Sequence, residues 1–208
     1  MKLVEKPKKL KLAVMASGRG SNFDAIYQAI KRGDLNAEII VLISDKAEAL
    51  ALKKAEKYNI SALHINPKDY STKEEYEQEL VKVITGYDVD LVVLAGYMRL
   101  IGSAFLQHFK HQVVNIHPAL LPSFTGLHAQ RQALEYGVKY TGCTVHFVDE
   151  GMDTGPIIMQ SVVAVYDDDD ETALTERILN EEHQIYWQAL QLFAEGRLYI
   201  KGRQVIIK

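Results

Sequence analysis

The sequence predicts an α/β protein: an open, mainly parallel sheet with flanking helices, and antiparallel strands in the C-terminal third. Three observations predict it. Short β-rich runs alternate with helical runs over the first 150 residues, the rhythm of βαβ units. Those β runs are continuously apolar rather than alternating, as in strands covered on both faces by helices. After that the chain changes character, to two longer β runs, 141–148 and 157–165, around a Gly-rich loop. A single Rossmann-like domain over residues 1–208 with right-handed crossovers satisfies all three.

Each element has its own signal. LAVMA at 12–16 reads as a buried strand. Phe23, Ile26, Tyr27 and Ile30 fall at helical spacing, predicting a helix over 21–31 that Gly33 stops. A second strand over 38–44 precedes an Ala/Lys/Glu helix over 47–58, and 62–65 is a weaker strand. Tyr76, Leu80, Val83 and Ile84 mark one face of a helix over 73–86. DLVVLA at 90–95 is a strand, followed by a short helical segment and a strand over 113–116. Leu174, Ile178, Tyr186, Leu190 and Phe193 place a helix over 172–195. Residues 198–208 read as a terminal hairpin around Gly202 and Arg203. The lysine-rich start, about 1–10, reads as a solvated tail. The acidic run 167–170 has two readings, a carboxylate metal site or the acidic N-terminus of the last helix.

Composition narrows the function classes. Twenty-four basic against 27 acidic residues leave a net charge of −3, so neither phosphate backbones nor anionic lipids find an attractive surface. No nucleic-acid or membrane partner is therefore expected. The N-terminus lacks the apolar core of a secretory signal, and the longest apolar stretch is 91–98, far short of a bilayer span. Cys143 is the only cysteine, which excludes an internal disulfide and fits a reducing compartment. A cytoplasmic protein, monomeric or homodimeric, is the expectation. Histidines 64, 108, 111, 128, 146 and 183 show no metal-ligand spacing, so no metal is expected. Cys143, in a strand, reads as a small core residue.

Four segments can carry chemistry. Residues 17–22 (SGRGSN) follow the first strand and open the first helix, where small residues let backbone N–H groups approach an anion. The third glycine of a dinucleotide fingerprint is replaced by Phe23, so the turn suits one phosphate rather than a pyrophosphate. It reads equally as a plain turn with Ser21 as cap. In NIHP at 115–118, Asn115 and His117 are two apart and face the same way at the carboxyl end of a strand. They could instead satisfy loop backbone. The loop 149–156 (DEGMDTGP) brings carboxylates; a loop carboxylate facing a histidine favours the imidazolium form, whereas a solvated loop is the plain alternative. The fourth, 95–101 (AGYMRLI), combines flexible apolar side chains with Arg99 and could equally pack on the core.

Taken together and in order, the segments ASGRGSN (16–22), LAGYMRLIG (94–102), NIHPALLPSFTGLHAQ (115–130), HFVDEGMDTGPIIMQ (146–160) and NEEHQIY (180–186) resemble the phosphoribosylglycinamide formyltransferases, small folate-dependent enzymes of purine synthesis. The resemblance covers nearly the whole chain. It implies transfer of the formyl group of 10-formyltetrahydrofolate, as cosubstrate, to the amine of glycinamide ribonucleotide. It implies a catalytic trio of Asn115, His117 and Asp153. Gly20, Ser21 and Asn22 would hold the ribonucleotide phosphate, with Leu179, Asn180, Glu181 and Glu182 near the same substrate. Met98, Arg99, Leu100, Ile101, Asp149, Glu150, Gly151 and Met152 would line the folate pocket together with Asn115, and Lys73 would stand near the folate tail. Three positions depart from the family pattern: Ala119 where Ser is common, Lys73 where some members have Arg, and Leu179 where some have a polar residue. Lys73 keeps a charge but cannot bind a carboxylate bidentately.

The chemistry is consistent with the residues. The substrate amine is itself the nucleophile, so no Ser or Cys is needed; an amide and an imidazole can stabilise the oxyanion and move protons. The alternatives are a formyltetrahydrofolate hydrolase or another formyltransferase of the same fold, such as the methionyl-tRNA type, which adds a domain and needs a basic surface. A non-catalytic nucleotide sensor, with Asp45 on a ribose hydroxyl, would leave Asn115, His117 and Asp153 idle.

Overall fold

The computed structural model describes residues 8–208. Strand β1 (Leu10–Met15) leads through α1 (Ser21–Arg32) to β2 (Ala37–Ser44), and α2 (Leu50–Lys57) leads to β3 (Ser61–His64). A 3-10 turn (Pro67–Asp69) and α3 (Lys73–Gly86) carry the chain back to β4 (Leu91–Leu94), and α4 (Ser103–His108) on to β5 (Val113–His117). Then follow α5 (Ala129–Tyr136), β6 (Tyr140–Phe147), β7 (Ile157–Ala164), α6 (Glu171–Ala194), β8 (Leu198–Lys201) and β9 (Gln204–Ile207).

The nine strands form one sheet in the order β3-β2-β1-β4-β5-β6-β7-β9-β8. The first five are mutually parallel; β6 runs antiparallel to β5, and β7 antiparallel to β6. The sheet has two buried faces, which is why its central strands are apolar throughout. On β1, Leu12 and Val14 join the core under α1, α2 and α6, while Ala13 and Met15 join the core under α3 and α4. The chain order reverses between β1 and β4, which opens a crevice beyond their carboxyl ends. There Ser17 N donates to Gly96 O at 3.0 Å and Met98 N donates to Ser17 Oγ at 2.9 Å, so the two loops at the crevice are tied together.

The ends of the elements explain the departures from the sequence reading. Helix α2 starts at Leu50, not at 47, because 46–49 is spent on a turn and Ala51 N donates to Gly18 O at 3.1 Å. Helix α5 has no sequence signal at its start: the residue before it, His128, is left-handed at φ 59° and caps nothing. The acidic run 167–170 opens α6. Asp170 caps Ala173 N at 2.7 Å, Asp169 holds the Arg177 guanidinium at 2.6 and 2.7 Å, and Asp167 pairs with Lys139. Of the expected tail, residues 1–7 lie outside the described residues; Lys8 Nζ meets Asp90 Oδ1 at 3.3 Å and Leu10 already opens β1. Cys143 is buried on β6, and burial pushes its thiol up to about 12, so it packs rather than reacts.

Candidate active site

Asn115 and His117 project from β5 at the edge of the crevice, with Ile116 buried between them. Antiparallel pairing sets His146 of β6 directly opposite Asn115, and Thr144 opposite His117. Asp153 comes from the loop between β6 and β7. Its Oδ2 lies 3.3 Å from His117 Nδ1 and accepts the Gly126 N–H at 2.8 Å; its Oδ1 lies 3.7 Å from His146 Nε2. His117 Nε2 donates to the Phe124 carbonyl at 2.8 Å. Both ring nitrogens of His117 thus face oxygen acceptors, an arrangement that two N–H donors satisfy. His117 is 5% exposed, so its orientation is fixed by these contacts and not by solvent.

His146 was not singled out by its sequence context, yet it touches two members of the trio. Burial lowers its pKa and keeps the ring neutral. Its Nδ1 donates to the Phe147 carbonyl at 2.9 Å, which leaves Nε2 as the acceptor for Asn115 Nδ2 at 3.3 Å. One N–H of the Asn115 amide is thereby held and the other is left for a ligand. The signal for this is the sheet register, which the sequence does not state. Phe124 and Gly126 were missed for a similar reason: they act through backbone atoms. Phe124 (φ 53°) and Asp153 (φ 55°) are both left-handed non-glycine residues, a strained conformation that clusters at working sites.

The loop 149–155 is held against the end of β6. Gly155 approaches so closely that a Cβ there would lie 1.8 Å from the Phe147 carbonyl oxygen. Asp149 Oδ1 accepts from Gly151 N at 3.2 Å and from Thr154 Oγ1 at 2.6 Å, which closes the turn. Glu150, Gly151 and Met152 are exposed on it. Across the opening, Met98 and Leu100 are 62% and 60% exposed, and Met152 is 47% exposed, so apolar side chains line a surface that nothing among the described residues covers. Arg99 leans over the Tyr76 ring, 5.5 Å from its centroid, and Ile101 packs against the α3 and α4 core. Lys73 Nζ lies 3.5 Å from Glu77 Oε1 on the same helix.

The first turn of α1 forms the other wall. Gly20 precedes it at φ 66° and packs so tightly that a Cβ would lie 2.7 Å from Ala51 Cβ. No side chain caps this helix, so the N–H groups of its first turn and the positive end of its dipole face the crevice. Asn22 is buried. Its Nδ2 donates to Glu182 Oε2 at 2.7 Å, and its Oδ1 has no partner among the described residues. Burial pushes the Glu182 carboxyl up to about 7, against the lowering effect of the Asn22 hydrogen bond. Of the neighbours named with Glu182, Glu181 accepts from Ser161 Oγ at 2.6 Å on β7, Asn180 is exposed and Leu179 is half-buried. One turn beyond Glu182, Tyr186 donates to the Leu94 carbonyl at 2.9 Å and also reaches the Val114 carbonyl at 3.3 Å. Helix α6 therefore links the Asn22 wall to the ends of β4 and β5.

A free helix turn able to take an anion, a strand-end amide and imidazole backed by a carboxylate, and an apolar rim suit acyl transfer between two small molecules. Residues 10–190 match the family model described as formyl transferase. The chain belongs to the formyl transferase family. The formyltransferase of Symbiobacterium toebii described as glycinamide ribonucleotide transformylase 1 has a crystal structure that superposes with a TM-score of 0.97, at 46% identity over 100% of this chain and 98% of that one. The phosphoribosylglycinamide formyltransferase of Bacillus subtilis is 44% identical over 85% of this chain and 90% of its own length. The trifunctional purine biosynthetic protein adenosine-3 of Drosophila melanogaster is 43% identical over 91% of this chain, which spans only 14% of that much longer protein. This formyltransferase has no group of three His, Cys, Asp or Glu able to hold a metal ion among its described residues, and no described helix is long and apolar enough to cross a membrane.

Proposed function

We propose that this formyltransferase moves the formyl group of 10-formyltetrahydrofolate onto the amine of glycinamide ribonucleotide, in the cytoplasm, as a step of purine synthesis. The observation that carries the reading is the convergence of Asn115, His117 and Asp153 beside the uncapped first turn of α1. The ribonucleotide phosphate takes the N–H groups of Ser21 and Asn22, with Gly20 allowing the close approach. Asn22 Oδ1 and the Glu182 carboxyl then offer acceptors to donor groups of the same substrate, and Leu179, Asn180 and Glu181 support that wall without a side-chain contact to it. The pterin end of the formyl donor lies between the 98–101 and 149–152 loops, against Met98, Leu100 and Met152, and Lys73 stands towards its tail.

The amine nitrogen attacks the formyl carbon, and the carbonyl oxygen takes up negative charge. The second N–H of Asn115 donates to that oxygen, and the His117 Nε2–H joins it by giving up the Phe124 carbonyl while Nδ1 stays on Asp153; both contacts strengthen as charge develops. Asp153 holds the His117 ring in place and balances its charge. When the intermediate collapses, the bond from carbon to the folate nitrogen breaks. The amine loses one proton and the departing nitrogen gains one, with His117 as the carrier. No side chain forms a bond to the formyl group, so both substrates are bound together.

A spectrophotometric assay with 10-formyltetrahydrofolate, run with and without glycinamide ribonucleotide, tests this. Folate product that forms only when the ribonucleotide is present is the expected result. Formate released at the same rate without it would assign the chain to the hydrolases.

A further inference from the structure

The donor-side loop, residues 96–102, has no helix or strand of its own, and Met98, Arg99 and Leu100 on it are exposed. Such a loop binds weakly unless something else fixes its shape, because ordering it on binding costs free energy. Helix α3, which lies behind it, carries two consecutive buried polar residues that reach it. Tyr76 OH meets Tyr97 OH at 2.6 Å, and Glu77 Oε1 accepts the Gly102 N–H at 2.7 Å. Both side chains are at least 95% buried, and Tyr76 lies in the apolar layer shared by α3 and α4. A buried carboxylate is expensive unless it is paired, and the partners of this one are the Gly102 N–H and the Lys73 ammonium. Gly102 is matched to it: a Cβ there would lie 2.6 Å from Glu77 Oε2 and 3.0 Å from Oε1. The third anchor is Ser17, at the Met98 N–H.

We infer that Tyr76 and Glu77 are positioning residues for the formyl donor: they clamp the back of the 96–102 loop so that Met98, Leu100 and Ile101 present a preformed wall. This rests on the donor-pocket reading above. It also reassigns Lys73. Its ammonium balances the Glu77 carboxylate from one turn away, so its effect on the donor runs through the clamp.

The test uses the full chain with Glu77→Ala, Glu77→Gln, Tyr76→Phe and, as an independent route, Gly102→Ala, whose new methyl pushes the intact Glu77 carboxylate away from the loop. Two readouts are taken: KM for each substrate with kcat, and amide hydrogen exchange of the 96–102 segment without ligand. Glu77→Ala and Gly102→Ala should each raise the donor KM about tenfold, the cost of leaving one buried N–H without its acceptor. The ribonucleotide KM and kcat should stay within about twofold, on the same reasoning that the loop meets only the donor. Exchange should quicken in 96–102 and not in β1 or β5. Glu77→Gln, which keeps an oxygen for the Gly102 N–H, should fall between wild type and Glu77→Ala, and Tyr76→Phe should show a smaller effect of the same kind. Unchanged exchange and donor KM in both Glu77→Ala and Gly102→Ala would overturn the clamp, as would a loss spread equally over both substrates and the whole sheet. Faster exchange confined to 96–102 in Glu77→Ala and Gly102→Ala, together with no formyl transfer by the wild-type chain, would keep the clamp and remove the donor-pocket reading instead.

Discussion

Asp153 adopts a left-handed backbone that costs a non-glycine residue on the order of 1 kcal/mol. In that conformation its carboxylate reaches His117 and the Gly126 N–H at once. Asp153→Asn keeps the shape and an oxygen for Gly126 but removes the charge. Its kcat should fall by about 100-fold or more, with the ribonucleotide KM unchanged, because the proposed phosphate wall is built from α1. His146→Ala should lower kcat by about tenfold through Asn115, whose amide loses the acceptor that orients it. Steady-state kinetics on both variants checks this; a normal kcat in His146→Ala would show that the Asn115 amide needs no second partner. The difference between these residues is also what the sequence could tell. Asn115 and His117 stand two apart before a proline, and Asp153 lies in a loop marked by glycines and a proline, so each carries a local signal. His146 sits inside an apolar strand. What makes it part of the site is its pairing with Asn115, a non-local fact that a one-residue slip would erase.

Between elements, the contact that matters most is the one from α1 to α6, and it is sensitive to pH. Glu182 has an ordinary carboxyl value of 4.5, and burial pushes it up to about 7 in the folded chain. The folded state therefore binds more protons than the unfolded state between these values. Stability falls as pH rises through that window and is level above it, a loss on the order of 3 kcal/mol over the whole range. Urea unfolding from pH 4.5 to 8 should show the fall in wild type relative to Glu182→Gln, which keeps an oxygen for Asn22 and cannot ionise; parallel profiles for the two would show that Glu182 is not the cause. Tyr186→Phe, one turn on, leaves the Leu94 and Val114 carbonyls without their shared donor and should cost about 1–2 kcal/mol in the same measurement. The sequence showed the periodic apolar stripe of α6 and hence its existence. It did not show that Glu182 faces inward on that stripe, because a glutamate at a core position reads as polar until the neighbouring helix is known.

Across the whole molecule the sheet is unequal in strength, and the site lies where it is strongest. Strands β1, β4 and β5 are flanked on both sides by partners and covered on both faces, and their residues are almost all buried. The far end is different. The β8–β9 hairpin meets β7 through one register pair, Ile157 with Gln204, and its residues are half-buried or exposed. Arg203 adds a hydrogen bond to the Thr154 carbonyl at 3.1 Å, in the turn that follows Asp153. Local opening free energies scale with buried contacts and protected hydrogen bonds, so the hairpin should open well before the centre. Native-state hydrogen exchange should place β8 and β9 amides at least about 100-fold less protected than those of β1 and β4. The Arg203 contact makes the hairpin more than an ornament of the edge. Arg203→Ala should raise exchange in 149–155 without affecting β5, because the loop that delivers Asp153 loses one of its outside supports while His117 keeps its strand. Equal protection along the whole sheet, or a loop unmoved by Arg203→Ala, would mean that the hairpin and the catalytic loop open independently.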